Sequence, residues 1–156
     1  MTGGHRHDDG SGTDPILVDE VARRLASVDQ RLTTARRDTL ETLRTAGRPV
    51  TVEEILAASP GLSQSSLYRN LAVFESAGVV VRVQSSDDKT RFELSEALAG
   101  HHHHLVCSKC GVVDDVQFPD TLETDIDRAL AAVAKRSGFQ MDHHRLDVVG
   151  LCRSCR

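Results

Sequence analysis

The segment HHHHLVCSKC, residues 101–110, decides how the second half of this chain is built. It runs four consecutive histidines into a Cys-x-x-Cys pair, and a second pair with the same spacing lies at 152–155. Two-residue spacing lets neighbouring thiolates chelate one tetrahedral Zn²⁺ at about 2.3 Å per Zn–S bond. Such a closed site has no open coordination position, so we expect a structural zinc; redox pairs or buried thiols are the alternative. The predicted zinc ligands are all four cysteines of the sequence, Cys107, Cys110, Cys152 and Cys155.

The histidine run predicts two further metal sites, because alternate side chains of a strand point to opposite faces. His101 and His103 would face one way, and His102 and His104 the other. Imidazoles and carboxylates elsewhere in the chain can complete each site. These candidates are His144, Glu123 and Glu93. The alternative is a solvated polar strand edge.

Composition limits the function classes. The 156 residues suffice for one moderate domain or two small ones, and zinc would stabilise small ones. A net charge of −4 argues weakly against nucleic-acid binding over the whole surface. Aromatic residues make up only 3% of the chain, with no Trp, which argues against a surface on which bases of single-stranded nucleic acid stack. We find no apolar membrane-spanning run and no apolar signal core at the start. We therefore expect a cytoplasmic protein with reduced cysteines and no membrane partner.

The first half has the pattern of a winged helix-turn-helix. Residues 1–14 predict a disordered tail, in which His5 and His7 are solvated. Four helices follow, beginning near Pro15 and Thr34, at a Thr51/Glu54 capping box, and after Ser63. Two β-prone runs, 79–84 and 90–94, are joined by the polar turn 85–89 and predict a hairpin wing.

The second half predicts an α+β domain. Residues 96–100 have little pattern and end in Gly100, so we place a hinge there. We predict three strands, at 101–107, 112–118 and 145–151, with a helix between the second and the third. The apolar face of this helix carries Leu122, Ile126, Ala129 and Val133. The predicted organisation is a tail (1–14), a winged-helix DNA-binding domain (15–95), a hinge (96–100) and a metal-binding domain (101–156).

The fourth helix is the candidate recognition helix. Small hydroxyls at its N-terminal end allow close approach to base edges, and Tyr and Arg side chains reach bases or phosphates. A basic cluster, Arg31, Arg36 and Arg37, opens the second helix and suits phosphate contacts. A solvated helix face would look similar. The predicted DNA-binding residues are Arg31, Ser65, Ser66, Tyr68 and Arg69.

Together these segments resemble the ferric uptake regulator (Fur) superfamily of bacterial metal-dependent repressors, over nearly all of residues 17–155. HHHHLVCSKCGVV (101–113) is similar to the family's His-rich strand and first Cys-x-x-Cys. GLSQSSLYRNLAVFESAGVVVRV (61–83) is similar to its recognition helix and wing, and RLTTARRDTLETL (31–43) to an earlier helix. The resemblance implies a C-terminal α/β dimerisation domain and a homodimer.

The resemblance also implies specific ligand sets. The four cysteines would hold structural zinc. A regulatory metal site between the domains falls on Glu93, His102 and His104. A further family ligand, often histidine, falls on Pro49, so water, Glu54 or an N-terminal histidine would complete this site. An additional metal site falls on His101, His103, Glu123 and His144.

The function expected from this resemblance is a non-enzymatic repressor that binds a palindromic double-stranded operator when loaded with Fe²⁺ or Zn²⁺. Mn²⁺ or Ni²⁺ regulation and peroxide sensing are alternatives within the family. A zinc hydrolase is disfavoured because no His-Glu-x-x-His motif or small organic substrate site is evident. A metal-storage protein without DNA binding is the remaining alternative.

Overall fold

The computed structural model describes residues 14–156, which form six helices and two three-stranded sheets. Of the predicted tail only Asp14 lies within this range, and His5 and His7 lie outside it. The helices are α1 (Pro15–Ala26), α2 (Thr34–Ala46), α3 (Val52–Ala58), α4 (Gln64–Ser76), α5 (Glu96–Ala99) and α6 (Asp120–Arg136). The strands are β1 (Val50–Thr51), β2 (Val80–Val83), β3 (Arg91–Leu94), β4 (His103–Cys107), β5 (Val113–Val116) and β6 (Asp147–Gly150).

Local capping signals set the helix boundaries in the first half. The Asp14 side chain accepts a hydrogen bond from the Ile16 amide at 2.9 Å and begins α1. The predicted capping box of α3 is confirmed: the Thr51 hydroxyl accepts from the Glu54 amide at 3.3 Å, and the Glu54 carboxylate accepts from the Thr51 amide at 2.7 Å. Gly47 ends α2 at φ 57°, a left-handed conformation that glycine adopts without a Cβ clash.

The first core lies beneath the predicted recognition helix. Leu67, Leu71 and Phe74 form an apolar stripe along one side of α4 and are at most 1% exposed. They pack in one cluster with buried side chains of α1, α2, α3 and the first sheet. That sheet has the order β1-β3-β2 with antiparallel pairing, and β2 and β3 form the predicted wing. Strand β1 was not predicted, since its two residues carry no periodic signal.

The second sheet has the order β5-β4-β6. Strand β4 pairs antiparallel with β5 and parallel with β6, so the histidine-bearing strand is central. In this register His104 lies opposite Asp115 on one side and Asp147 on the other. The predicted helix α6 is present, but none of its residues is buried. Its apolar residues Leu122 and Val133 are 44% and 50% exposed.

The segment between the two halves differs from the prediction in one respect. Residues Glu96–Ala99 form a single helical turn, α5, where we predicted an irregular hinge. Ser95 and Glu96 backbone carbonyls accept the hydrogen bonds of this turn, which closes at Gly100. The turn is too short to show helical periodicity in sequence. Within residues 14–156, no helix has both the length and the apolarity needed to cross a bilayer.

Candidate metal centres

The four cysteines meet at one point, between the β4–β5 turn and the last turn of the chain. Their sulfur atoms lie within 4.8 Å of one another. Cys110 Sγ is 3.7 Å from Cys152 Sγ, and no disulfide joins the four cysteines. A tetrahedral ion with Zn–S bonds of about 2.3 Å would hold its thiolates about 3.8 Å apart. The sulfur geometry therefore fits the predicted zinc site.

The charges of these thiols also suit a divalent cation. Backbone amides of Cys110 and Cys152 donate toward Cys107 and lower the pKa of its thiol to about 6. Hydrogen bonding to Cys110 and Cys152 raises the pKa of the Cys155 thiol to about 12, and the Cys107 charge adds to this rise. The Cys107 thiolate is therefore favoured, whereas hydrogen bonding and burial favour the protonated form of Cys155. Four thiolates at this spacing need a compensating cation.

A second cluster lies on one face of β4. His103 Nε2 is 2.8 Å from Glu123 Oε1, and His144 Nε2 is 3.5 Å from Glu123 Oε2. Glu123 Oε2 and His144 Nε2 are buried and have no hydrogen-bond partner among the described residues. Two buried polar atoms that face one another without hydrogen bonds are suited to binding a cation. The predicted additional set, His101, His103, Glu123 and His144, has its ligand atoms within 4.8 Å of one another.

A third cluster lies on the opposite face of the same strand. His102 Nε2 and His104 Nε2 both lie 3.2 Å from Glu93 Oε2, and all three side chains are buried. The alternation predicted for the histidine run therefore describes the structure: the two pairs of rings occupy separate clusters. Glu93 lies on β3, so this cluster joins the wing sheet to the second sheet.

Asp115 is a member of this third cluster that sequence reasoning missed. Its carboxylate oxygens are 3.8 Å from His102 Nε2 and 3.9 Å from His104 Nε2. Asp115 lies directly opposite His104 in the β4–β5 hairpin. Pairing the two predicted strands around the Cys-x-x-Cys turn would have supplied this signal. Together Glu93, His102, His104 and Asp115 place four ligand atoms within 4.8 Å.

Position 49 contributes no ligand atom, because Pro49 is buried and its side chain is a hydrocarbon ring. Glu54, the carboxylate predicted as a possible replacement, is engaged elsewhere. It completes the α3 capping box and accepts a 2.7 Å hydrogen bond from Arg48. The group of ligand atoms in the third cluster includes Asp115 and does not include Glu54.

The electrostatics of the third cluster favour positive charge. Burial lowers the pKa of His102, but the Gly100 carbonyl and the Glu93 carboxylate outweigh it and the pKa is raised. The Glu93 carboxylate raises the pKa of His104. Burial raises the pKa of Asp115. These shifts favour positive charge on both imidazoles beside the buried Glu93 carboxylate, and a divalent cation would supply positive charge at the same place.

The third cluster opens into a cleft between the two halves of the chain. This cleft has a volume of about 560 Å³. Glu93, His102 and Asp115 line one side, and side chains of α1 and α2, including Leu17 and Leu43, line the other. The geometry of this cluster therefore depends on how the two halves are oriented.

The wing contacts the turn that carries the first pair of cysteines. Ser85 donates a 2.6 Å hydrogen bond to the Gly111 carbonyl, and Ser86 donates a 2.8 Å bond to the Cys107 carbonyl. Asp87 forms two hydrogen bonds, 2.7 and 2.8 Å, with the buried Arg91 guanidinium. The two serine hydrogen bonds attach the loop at the tip of the wing to the Cys-x-x-Cys turn.

The predicted DNA-binding residues lie at the surface of α4 and near the start of α2. Ser65, Tyr68 and Arg69 are exposed, Ser66 is half-buried, and Arg31 is exposed in the loop before α2. Asn70, on the opposite face of α4, is buried and donates to the Ala35 carbonyl and the Thr39 hydroxyl of α2. The exposed face of α4 is therefore free to meet a ligand, while its buried face is held by α2.

Comparison with known proteins covers both halves of the chain. The model of the ferric uptake regulator family matches residues 27–149. The peroxide-responsive repressor PerR of Staphylococcus aureus is 30% identical over 144 residues, spanning 88% of this chain and 92% of that protein. The structure of Fur from Helicobacter pylori has a TM-score of 0.72 at 21% identity, covering 92% of this chain and 94% of that one. Fur from Vibrio cholerae has a TM-score of 0.64 at 29% identity, covering 83% and 98%. The predicted α+β fold is confirmed by these superpositions.

Proposed function

Because this chain belongs to the ferric uptake regulator family, we propose that it is a homodimeric repressor switched by a divalent metal at the third cluster. Family membership makes the chain a metal-responsive, DNA-binding transcriptional regulator and not an enzyme. The hydrolase and storage alternatives are therefore set aside. What we propose beyond the family is the identity of the regulatory ligands, the role of each cluster and the switching mechanism.

The observation that supports the switch is that the third cluster takes ligands from both halves of the chain. Glu93 belongs to the wing sheet, while His102, His104 and Asp115 belong to the second sheet. Metal bound there supplies positive charge that holds both imidazoles and both carboxylates together. Domain orientations that separate Glu93 from the histidines lose this interaction, so metal favours the orientation that assembles the cluster.

DNA binding is proposed for the exposed N-terminal end of α4. Its hydroxyls and Tyr68 and Arg69 would enter a major groove, and Arg31 would contact phosphate. Two such helices in a dimer need a fixed separation to reach successive major grooves of a palindromic operator. We propose that the protein and its operator meet in the cytoplasm. Fixing the domain orientation would therefore raise operator affinity without altering α4.

The dimer surface we propose consists of α6 and the edge strand β6. No residue of α6 is buried, and Val148 and Val149 on β6 are 45% and 65% exposed. Exposed apolar side chains on an edge strand are suited to pairing with a second copy of the chain. Replacing Val149 by Lys should shift the protein from dimer to monomer in analytical ultracentrifugation, whereas an unchanged dimer would assign the interface elsewhere.

Zinc at the four cysteines is proposed to be structural. These residues connect the β4–β5 turn to the end of β6, so the ion would stabilise the second sheet. Replacing Cys107 by Ser should lower stability and dimerisation. A fully folded dimer with undiminished thermal stability would contradict a structural role.

The regulatory ion is proposed to be Fe²⁺ or Zn²⁺, with Mn²⁺ and Ni²⁺ as alternatives. Two imidazoles and two carboxylates without a thiolate suit borderline and oxygen-preferring ions alike, so ligand type does not select among them. Peroxide sensing through Fe²⁺ is a second candidate function, supported by the 30% identical peroxide-responsive repressor. In that case peroxide treatment of the Fe²⁺ form should add an oxygen atom to His102 or His104, detectable by mass spectrometry.

The test is operator binding by protein that retains its cysteine-bound zinc but lacks exchangeable metal. Fe²⁺, Zn²⁺, Mn²⁺ and Ni²⁺ are titrated separately against DNA selected from a random pool. One ion should restore tight, sequence-specific binding, and His102→Ala should abolish that effect. His143→Ala is the matched control, because this exposed imidazole lies outside all three clusters. Binding that ignores every ion would overturn the regulatory role.

A further inference from the structure

Four of the five imidazoles in the two histidine clusters share one orientation; the exception is His103, whose Nδ1 is buried without a hydrogen-bond partner among the described residues. His102 and His104 direct Nε2 toward Glu93, and His101 and His144 direct Nε2 toward Glu123. In each of these four rings Nδ1 faces an oxygen atom that is not a ligand of its cluster. These oxygens belong to Gly100, Asp147, Glu96 and Asp127, at 2.9, 3.2, 3.3 and 2.9 Å respectively.

This orientation has a chemical consequence. Carbonyl and ionised carboxylate oxygens can only accept hydrogen bonds. A ring that binds metal through Nε2 carries its remaining proton on Nδ1, and in these four rings that N–H can donate to the facing oxygen. The facing oxygens therefore stabilise the tautomer that can bind a metal through the nitrogen facing its cluster.

Asp147 differs from the other three residues that face an Nδ1 atom in its position in the fold. It lies on β6, the edge strand, directly opposite His104 in the parallel β4–β6 pairing. The His104 amide donates to the Leu146 carbonyl at 3.3 Å, so the backbone fixes this register. The Asp147 side chain is 55% exposed, which leaves room for a substitution without a packing change.

We propose that Asp147 is a positioning residue of the third cluster: it holds His104 with Nε2 toward the metal and joins that ligand to the edge strand. This inference rests on the proposed regulatory site. Asp147 lies on the Nδ1 side of the His104 ring and is outside the group of ligand atoms, so it acts through His104. Asp127 has the same relation to His144 in the other cluster.

Asp147→Asn keeps the size of the side chain but removes its obligatory acceptor character. An asparagine amide can donate to Nδ1 and so favour the tautomer that carries the proton on Nε2, facing the metal. Second-sphere changes of this kind weaken metal binding by about 10-fold to 100-fold. We expect a loss in that range for the third cluster alone.

The experiment measures Co²⁺ affinity spectroscopically in zinc-retaining protein carrying His144→Ala, which disables the second cluster. In this background Asp147→Asn should weaken Co²⁺ binding about 10-fold to 100-fold, and Asp147→Glu should stay within about threefold of the parent. Asp127→Asn is the matched control: it is a similarly exposed carboxylate, 58%, and should leave this affinity unchanged. Apo-protein ¹⁵N NMR at about pH 9, above the ordinary histidine pKa, should show a smaller Nδ1-protonated fraction of His104 in Asp147→Asn than in the parent, because the Glu93 carboxylate at Nε2 then competes with a weaker acceptor at Nδ1.

Two results would overturn the proposal. One is an Asp147→Asn affinity within about threefold of the parent with an unchanged His104 tautomer. The other is equal weakening by Asp147→Asn and Asp127→Asn, which would indicate a general electrostatic effect. The proposed function has a separate test, since operator binding can ignore metal while Co²⁺ affinity still depends on Asp147. That combination would retain the positioning role and remove the regulatory one.

Discussion

Asp87→Asn tests how much the buried ion pair between Asp87 and Arg91 in the wing contributes to stability. Asp87 forms two hydrogen bonds of 2.7 and 2.8 Å with Arg91, whose side chain is 6% exposed. The substitution keeps the shape of the side chain but leaves the guanidinium without its counter-charge. The neighbouring Lys89 carbonyl, 3.3 Å from Arg91 Nη1, offers only a weak replacement.

The expected cost follows from burial. Removing one partner of a fully buried ion pair costs about 3–5 kcal/mol. Asp87 is 21% exposed, and asparagine can still accept one hydrogen bond, so we expect about 2–3 kcal/mol here. With a denaturant slope of about 2 kcal/mol per M urea, the unfolding midpoint would fall by roughly 1 M.

The pH dependence has a definite sign. Hydrogen bonding to Arg91 holds the pKa of Asp87 far below its ordinary value of 3.8. A lowered folded-state pKa stabilises the protein above the unfolded value, and this contribution is lost as pH falls toward the folded-state pKa. The difference between wild type and Asp87→Asn should therefore be constant between about pH 5 and 8 and shrink below about pH 4.

Urea unfolding of the zinc-retaining protein, followed by circular dichroism, measures the effect. Asp125→Asn is the matched control, because the same substitution there removes an ion pair with Arg128 whose side chains are 72% and 69% exposed. Such exposed pairs contribute about 0–1 kcal/mol. Equal losses of stability in the two variants would refute the reasoning that burial makes the Asp87–Arg91 pair important.

Three further predictions concern the Gly111 turn, the contact between α4 and α2, and the third cluster. Gly111→Ala should destabilise the protein more than Gly138→Ala. Both glycines have positive φ, 72° and 65°, at which alanine costs about 1–2 kcal/mol of strain. A Cβ at position 111 would also overlap the Asp87 side chain, whereas position 138 is open. Equal melting temperatures would show that the wing contact is absent in solution. Asn70→Ala removes two buried hydrogen bonds to α2 and should cost about 1–2 kcal/mol and lower operator affinity; calorimetry and DNA titration with undiminished values would contradict this. Because the folded-state pKa values of His102 and His104 are raised, they stabilise the metal-free fold at low pH and this contribution is lost as pH rises through them. Calorimetric metal affinity should accordingly fall with decreasing pH, by up to about 100-fold per unit for two displaced protons, and a pH-independent affinity would exclude both rings as ligands.

Local signals account for the prediction of most elements. The Thr51/Glu54 capping box, the left-handed Gly47 and the stripe of Leu67 and Leu71 each act over a few residues, and the structure contains each of them. Strand alternation likewise divides the histidine run into the two sets that occupy the second and third clusters. The one-turn helix at 96–99 and the two-residue strand β1 were missed because each is shorter than the stretch over which its own pattern becomes visible.

The sequence by itself determined the five longer helices, the wing, the spacing of the two cysteine pairs and the alternation of histidine faces, since these depend on neighbours in the chain. Only the tertiary structure brought Asp115 opposite His104, because strand register sets which residues meet across a hairpin. It alone paired Asp147 with the other nitrogen of the same ring, across a parallel contact spanning 43 residues of sequence. It also attached Ser85 and Ser86 to the Cys-x-x-Cys turn. Such contacts depend on distances between residues far apart in the chain, which local periodicity and capping do not encode.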